Sequence, residues 1–175
     1  MRFLLMIIVA FSLVGCVPAG LGPPPEVADI AQYQEVLKSW PSELTAHFPP
    51  NIPDNSTDAK MSSFPGYLQG GAHFQLRLSI PASDISDLDS KFSKIATHTF
   101  HGGDTNDHGN ATGGVPTTFD YTNGMDSTSF GDTFNIYVLH SDDLGEQNFP
   151  WNHGTNGGVA ICQECNQIVY WCGAW

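Results

Sequence analysis

The sequence predicts an α+β domain with a mostly antiparallel sheet of four or five strands and two helices packed on one face. Apolar residues recur at helical spacing early in the chain, and two-residue alternation takes over at Phe74. Near the C-terminus two apolar runs flank a four-residue turn. The first helix is expected over residues 26–40, where Val27, Ile30, Tyr33, Leu37 and Trp40 recur at steps of three and four. Pro25 suits its first turn and Pro41 ends it. A short second helix over residues 42–48 precedes the Pro-rich FPPNIP stretch. Phe74, Leu76, Leu78 and Ile80 alternate with His73, Gln75, Arg77 and Ser79, the pattern of a half-buried strand. Pro81 stops it. Ser83 then reads as an N-cap, with Asp84 and Asp87 in the first turn and Ile85, Leu88, Phe92 and Ile95 as the apolar stripe of a helix.

Residues 98–116 read as one long polar, Gly-rich loop, long enough to be either functional or disordered. Residues 117–121 suit a short strand, and Phe134, Ile136 and Val138 alternate with Asn135, Tyr137 and Leu139 in another. Residues 158–162 and 167–172 form a final hairpin around Gln163-Glu164-Cys165-Asn166. The long loops are expected to cover part of the sheet face opposite the helices.

The N-terminal segment carries the clearest functional signal. Arg2 is followed by an apolar run from Phe3 to Val14, broken only by Ser12, and Leu13-Val14-Gly15-Cys16 places small residues before a cysteine. This is the layout of a secretory signal with a cleavage site, too short to span a bilayer, which needs roughly 20 residues. The tetrapeptide resembles the lipobox of bacterial lipoproteins, in which the cysteine is acylated and becomes the mature N-terminus. Residues 1–15 are therefore expected to be signal, residues 16–25 (acylated Cys16, then VPAGLGPPP) an anchor and Pro/Gly tether, and residues 26–175 one domain. Cell-envelope localisation follows. Val17, where an Asp would resemble an inner-membrane retention signal, favours the outer membrane in a Gram-negative cell.

Arg2 leaves with the signal, so 5 Lys+Arg then face 18 Asp+Glu, a formal charge of −13. That balance argues against nucleic acid as a partner and against electrostatic docking on anionic lipid. The membrane, reached through the lipid anchor, is the one partner that the sequence specifies. With Cys16 assigned to lipid, Cys162, Cys165 and Cys172 leave an odd thiol in an oxidising compartment. One disulfide with one buried free thiol is the simplest arrangement; three single bonds are open, and a Cys162–Cys165 turn disulfide is the candidate. If Cys162 pairs with Gln167 in the hairpin, Cys172 lies on the opposite face and cannot readily bond Cys162.

Two constellations could carry chemistry. His98, His101, Asp104, Asp107 and His108 offer imidazole and carboxylate donors to a divalent metal such as zinc, copper or nickel. In an extended segment, however, His98 and His101 would point to opposite faces. Asp104, Asn106, His108 and Gly109 also fall at the spacing of a calcium loop, with Val115 where the bidentate Glu should stand. No cofactor beyond such a metal is implied. No G-x-S-x-G elbow, H-E-x-x-H motif or phosphate-cradling loop is present. Asp142-Asp143 beside Gly145 reads as a turn.

Three segments together resemble a family of uncharacterised bacterial envelope lipoproteins. They are His47-Phe48-Pro49 with Ile52-Pro53, then Phe64-Pro65-Gly66-Tyr67-Leu68-Gln69-Gly70-Gly71, and the stretch from Trp151-Asn152-His153-Gly154 through Gly158-Val159-Ala160-Ile161 to Ile168-Val169-Tyr170-Trp171 and Trp175. Pro116-Thr117-Thr118-Phe119 fits the same pattern. The resemblance implies kinship and no particular activity. The His/Asp loop and the three late cysteines depart from it. It also points to a ligand pocket of Gln69, Trp151, Asn152, His153 and Trp171, with Trp175 nearby. The expected function is a lipid-anchored, non-enzymatic binding or structural module. Metal binding at the His/Asp loop is the alternative, and hydrolysis with His153 as base a third.

Overall fold

The computed structural model describes residues 22–68, 70–103, 107–123 and 129–175. The chain is an α+β fold around one six-stranded sheet. The strands are β1 (Thr57–Phe64), β2 (Ala72–Ser79), β3 (His98–His101), β4 (Asn135–Asp143), β5 (Gly154–Cys162) and β6 (Gln167–Ala174). They lie in the order β1-β2-β6-β5-β4-β3, and every pairing is antiparallel. After the β1–β2 hairpin, helix α3 (Ala82–Ile95) carries the chain to the far edge, where β3 forms. In the connection that follows, residues 115–123 and 130–134 lie against the sheet. β4, β5 and β6 meander back until β6 closes against β2.

The pleat divides the sheet into two buried faces. Phe74, Leu76 and Leu78 of β2 share the first face with Val159 and Ile161 of β5 and with Ile168, Tyr170 and Cys172 of β6. Helices α1 (Tyr33–Ser39), α2 (Ser42–Thr45) and α3 cover it with Tyr33, Val36, Leu44, Ile85 and Phe92, and Phe48 follows α2 onto the same core. Phe48 stacks on Phe74 at 4.6 Å between centroids. Each such fully buried side chain contributes about 1.5–3 kcal/mol of transfer free energy. Ile136, Val138, Ala160, Cys162, Val169 and Trp171 form the second face. Val115, Phe130 and Phe134 cover it from the long connection.

β1 and β3 raise the sheet above the expected four or five strands. β1 escapes periodicity because its second-face residue Ser62 is buried by polar partners, so apolar and polar residues do not alternate along it. β3 lies inside the stretch expected to be loop. Residues 117–121 are not a strand: only Asp120 makes a bridge, and a 3-10 turn follows at Tyr121–Asn123. The first helix is shorter than its periodicity, because Val27 instead exchanges both backbone hydrogen bonds with Ser63. Asp29 then caps a 3-10 turn, its carboxylate accepting from the Ala31 backbone N–H, before α1 begins. With α2, three helices rather than two lie on the first face. In α3, Ser83 sits in the first turn instead of capping it, and Pro81 precedes the helix.

Two adjacent glycines serve the two faces. An irregularity in the β4–β5 pairing between Val138 and His140 brings His140 opposite Gly157, where a Cβ would meet the imidazole at 2.2 Å. At Gly158 a Cβ would meet the Tyr137 carbonyl oxygen at 2.0 Å and the Trp171 ring at 2.9 Å.

Candidate functional site

The second face changes character towards β1 and β2. Its inward residues there are Ser62, His73, Gln75 and Arg77, and residues 116–123 lie across them. Gln75 grips the crossing segment from both ends of its amide. Its Nε2 donates to Thr118 Oγ1 at 3.2 Å and to the Phe119 carbonyl at 2.5 Å, while its Oε1 accepts from Tyr121 N at 2.9 Å. Arg77 pairs with Asp120, donates from Nε to Thr122 Oγ1 at 2.9 Å and from Nη1 to Gln167 Oε1 at 3.3 Å. Thr122 in turn donates to Asp120 at 2.8 Å. Asn156 on β5 donates to the carbonyls of Pro116 and Thr117. Buried polar groups need such partners, and these satisfy one another.

At the β1 edge the cluster ends in a relay. Ser62 Oγ donates to Glu26 Oε1 at 2.6 Å and lies 2.8 Å from His73 Nε2. A carboxylate only accepts, so the single hydroxyl proton of Ser62 goes to Glu26, and His73 Nε2 must carry the proton shared with Ser62. Tyr121 stacks on the His73 ring at 3.8 Å and 8°. Burial pushes the His73 pKa down to about 4, with the Glu26 charge opposing the shift. Burial raises the Tyr121 phenol. Two clefts of about 610 and 240 Å³ open on either side, and Tyr121 lines both.

The chemistry of this cluster is that of a fastener. In nucleophilic hydrolysis the histidine stands between serine and carboxylate and takes the serine proton. Here Ser62 stands in the middle, is 1% exposed and faces an imidazole nitrogen that already bears hydrogen. The relay joins residue 26 to β1 and β2 without activating a nucleophile.

No protein-family model, curated protein or solved structure matches this chain.

The residues singled out from the sequence are dispersed. Cys16, Gln69, Asp104 and Asn106 lie outside the described residues. His98 and His101 stand at opposite parities on β3, so the pleat separates them. His98 shares a face with Phe100, whose ring stacks on His108 at 4.1 Å, so two imidazoles join an aromatic row. Asp107 begins a 3-10 turn at Asp107–Asn110. Val115, at the twelfth calcium position, is a buried apolar residue of the second core. Among the described residues no group of three His, Cys, Asp or Glu side chains is placed to hold a metal ion.

Among the described residues of the expected ligand pocket, Trp151, Asn152, His153 and Trp171 line neither of the two clefts. Trp171 is wholly buried in the strand interior against Gly158. Asn152 Oδ1 accepts from Glu146 N at 3.1 Å, Trp151 offers its carbonyl to Trp175 Nε1 at 2.7 Å, and the exposed His153 gives its carbonyl to Leu144 N. These groups brace the β4–β5 turn. The 240 Å³ cleft is lined instead by His73, Phe119, Tyr121, Asn156 and Trp175, among others.

Cys162 and Cys165 are joined by a disulfide across the β5–β6 turn, and Cys172 is a buried free thiol. Thr133 Oγ1 lies 3.3 Å from Cys162 Sγ, fastening the turn to the start of β4. Burial raises the Cys172 pKa. On the first face, His47 Nε2 donates to the Trp171 carbonyl at 3.0 Å and meets the edge of His140 at 6.0 Å. Its pKa falls to about 4, chiefly through burial, while the backbone carbonyl bond opposes the shift and the His140 charge adds to it. Burial also lowers His140.

Sequence reading missed Glu26, Ser62, Tyr121 and Asp120. The signal that could have found Asp120 is the placement of Arg77 and Gln75 in a strand otherwise built for burial. A cation in such a strand needs a carboxylate partner if its face is covered.

Proposed function

We propose that this protein is a lipid-anchored cell-envelope module that works by binding or by structural support, without catalysis. One observation carries the reading: the tetrapeptide Leu13-Val14-Gly15-Cys16 behind a twelve-residue apolar run, followed by a Pro/Gly-rich tether. Each buried methylene of an acyl chain adds about 0.8 kcal/mol of membrane affinity, so a doubly or triply acylated Cys16 holds the domain stably at a bilayer. The polar clusters are consistent with a module that must keep its shape, because their donors and acceptors are spent on one another. Kinship with envelope lipoproteins, carried by the FPGYLQGG and WNHG segments, belongs to the same proposal.

The test is an intact mass and fractionation measurement on the full chain expressed in a bacterium. The expected mature protein begins at acylated Cys16 and sediments with membranes. Cys16→Ala should lack the acyl mass and leave the membrane fraction. An unacylated wild-type protein, or a Cys16→Ala variant that stays membrane-bound as a precursor-free chain, would overturn the proposal.

A further inference from the structure

The antiparallel register places three separate parts of the chain at one end of the sheet. β1 ends at Phe64 and β2 begins at Ala72, so the β1–β2 turn lies there. β4 ends at Asp143 opposite Gly154, so the β4–β5 turn lies there too, as does Ala174, which pairs with both Ala72 and Thr155. The third part is the N-terminal approach. At Val27 the chain runs antiparallel to β1, so the residues before it head towards the β1–β2 turn. The disulfide-closed β5–β6 turn sits at the opposite end.

This end carries the most exposed large apolar side chains among the described residues. Leu68 of the β1–β2 turn is 87% exposed, and Leu144 and Phe149 of the β4–β5 turn are 68% and 65% exposed. The second turn is a braced platform. Asp143 Oδ1 accepts from Gly145 N at 2.8 Å and from Trp151 N at 3.0 Å, and Trp175 packs against Trp151 at 6.4 Å between centroids. The hydrogen-bonded turn thus presents Leu144 and Phe149 together to solvent.

We infer that this end of the sheet rests on the membrane, with Leu68, Leu144 and Phe149 entering the interfacial region of a zwitterionic phospholipid surface. The inference rests on the lipid-anchor reading. From Val27 back to Cys16 is eleven residues, a reach of at most about 40 Å. The tether therefore leaves the domain on the side that carries the apolar turns, and needs no path around the body to bring them to the bilayer. Acylation supplies proximity, so a weak contact suffices to fix orientation. Asp142, Asp143 and Glu146 flank the platform, and the chain is acidic throughout, which favours zwitterionic over anionic headgroups.

The test uses the full acylated protein reconstituted into phosphatidylcholine vesicles, with and without bromine at shallow acyl carbons. Two reporters are compared, Phe149→Trp at the apolar end and Glu164→Trp in the opposite turn, each against the wild-type signal. Vesicle flotation reads the anchor independently. The inference expects flotation of both variants, a blue-shifted emission with added quenching by brominated lipid for Phe149→Trp, and no added quenching for Glu164→Trp. Flotation with no added quenching of Phe149→Trp, or with equal quenching of both, overturns the docking and leaves the anchor standing. Failure to float overturns the anchor, and the docking with it.

Discussion

Arg77 and Asp120 form an ion pair whose side chains are only 6% and 3% exposed, and it joins β2 to the segment that crosses the second face. The pair has no water to fall back on, so its worth depends on both partners being present. Asp120→Ala should cost about 3–5 kcal/mol by leaving a buried guanidinium unpaired. Replacing both residues by apolar ones of similar size, Arg77→Met with Asp120→Leu, should cost much less. Urea unfolding of the two single variants and the double variant gives the coupling directly. A double variant as unstable as the sum of the singles would show that the two groups do not act as a pair.

Acid should loosen the fold through histidine. His47 and His73 have native pKa values near 4, below the free value of about 6.5. Between those values the unfolded chain binds protons that the native chain refuses. Stability is thus fully present above about pH 6.5 and declines as pH falls towards about 4. His47→Gln and His73→Gln should each flatten the profile by roughly one proton across that window. Unfolding midpoints followed from neutral to mildly acidic pH measure this. A slope that neither variant changes would assign the acid loss to other groups.

Ser62→Ala should cost about 1–3 kcal/mol, because it strands an imidazole N–H and removes the hydrogen bond that Glu26 accepts. The more telling readout is local. Amide exchange should quicken at Val27 and Ser63, whose mutual backbone bonds depend on the N-terminal segment staying docked. Unchanged protection at both amides would mean that the backbone bridge holds without the relay.

Reduction of the Cys162–Cys165 bond should leave the fold intact. The bridge closes a very short loop, so its entropic contribution is about 2 kcal/mol on the chain-entropy model. Under native conditions a thiol-alkylating reagent should then modify Cys165, which is exposed, well before Cys162 and Cys172, which are buried. Mass counting of adducts over time decides the order. Rapid labelling of Cys172 would show that the first-face core opens readily.

Gly158→Ala should disrupt the β4–β5 pairing, since its Cβ would meet a backbone oxygen that cannot rotate away. A loss of about 1–3 kcal/mol or more is expected, against near neutrality for Gly131→Ala, whose nearest neighbour lies 4.0 Å away. Thermal unfolding of the two variants checks the contrast.

The elements legible in the sequence are those whose burial is one-sided and apolar. Phe74, Leu76 and Leu78 announce β2, the stripe of Ile85 and Phe92 announces α3, and the final hairpin is visible around residues 163–166. β1 was hidden because Ser62 and Lys60 look outward-facing in a sequence, whereas Ser62 is buried by Glu26 and His73. The same cause hid the polar cluster. Gln75 and Arg77 alternate with apolar residues as solvent-facing side chains would, and only the crossing segment 116–123 turns that face into an interior. Long-range pairing such as that of Arg77 with Asp120, 43 residues apart, leaves no local period to read. The His/Asp stretch was legible only in its donor types, not in its strand. Its donor types suit a metal, but β3 assigns His98 and His101 to opposite faces.

The placement of Cys162 and Cys172 on opposite faces of the sheet has a bearing on how the chain matures. Cys162, Cys165 and Cys172 can couple in three ways when they meet an oxidant, and the wrong couplings would trap misfolded chains. Once β6 is in register, the sheet itself stands between Cys172 and the other two sulfurs. Correct oxidation is thus dictated by geometry rather than by repeated trial, and the hairpin turn can close its bond whenever an oxidant arrives.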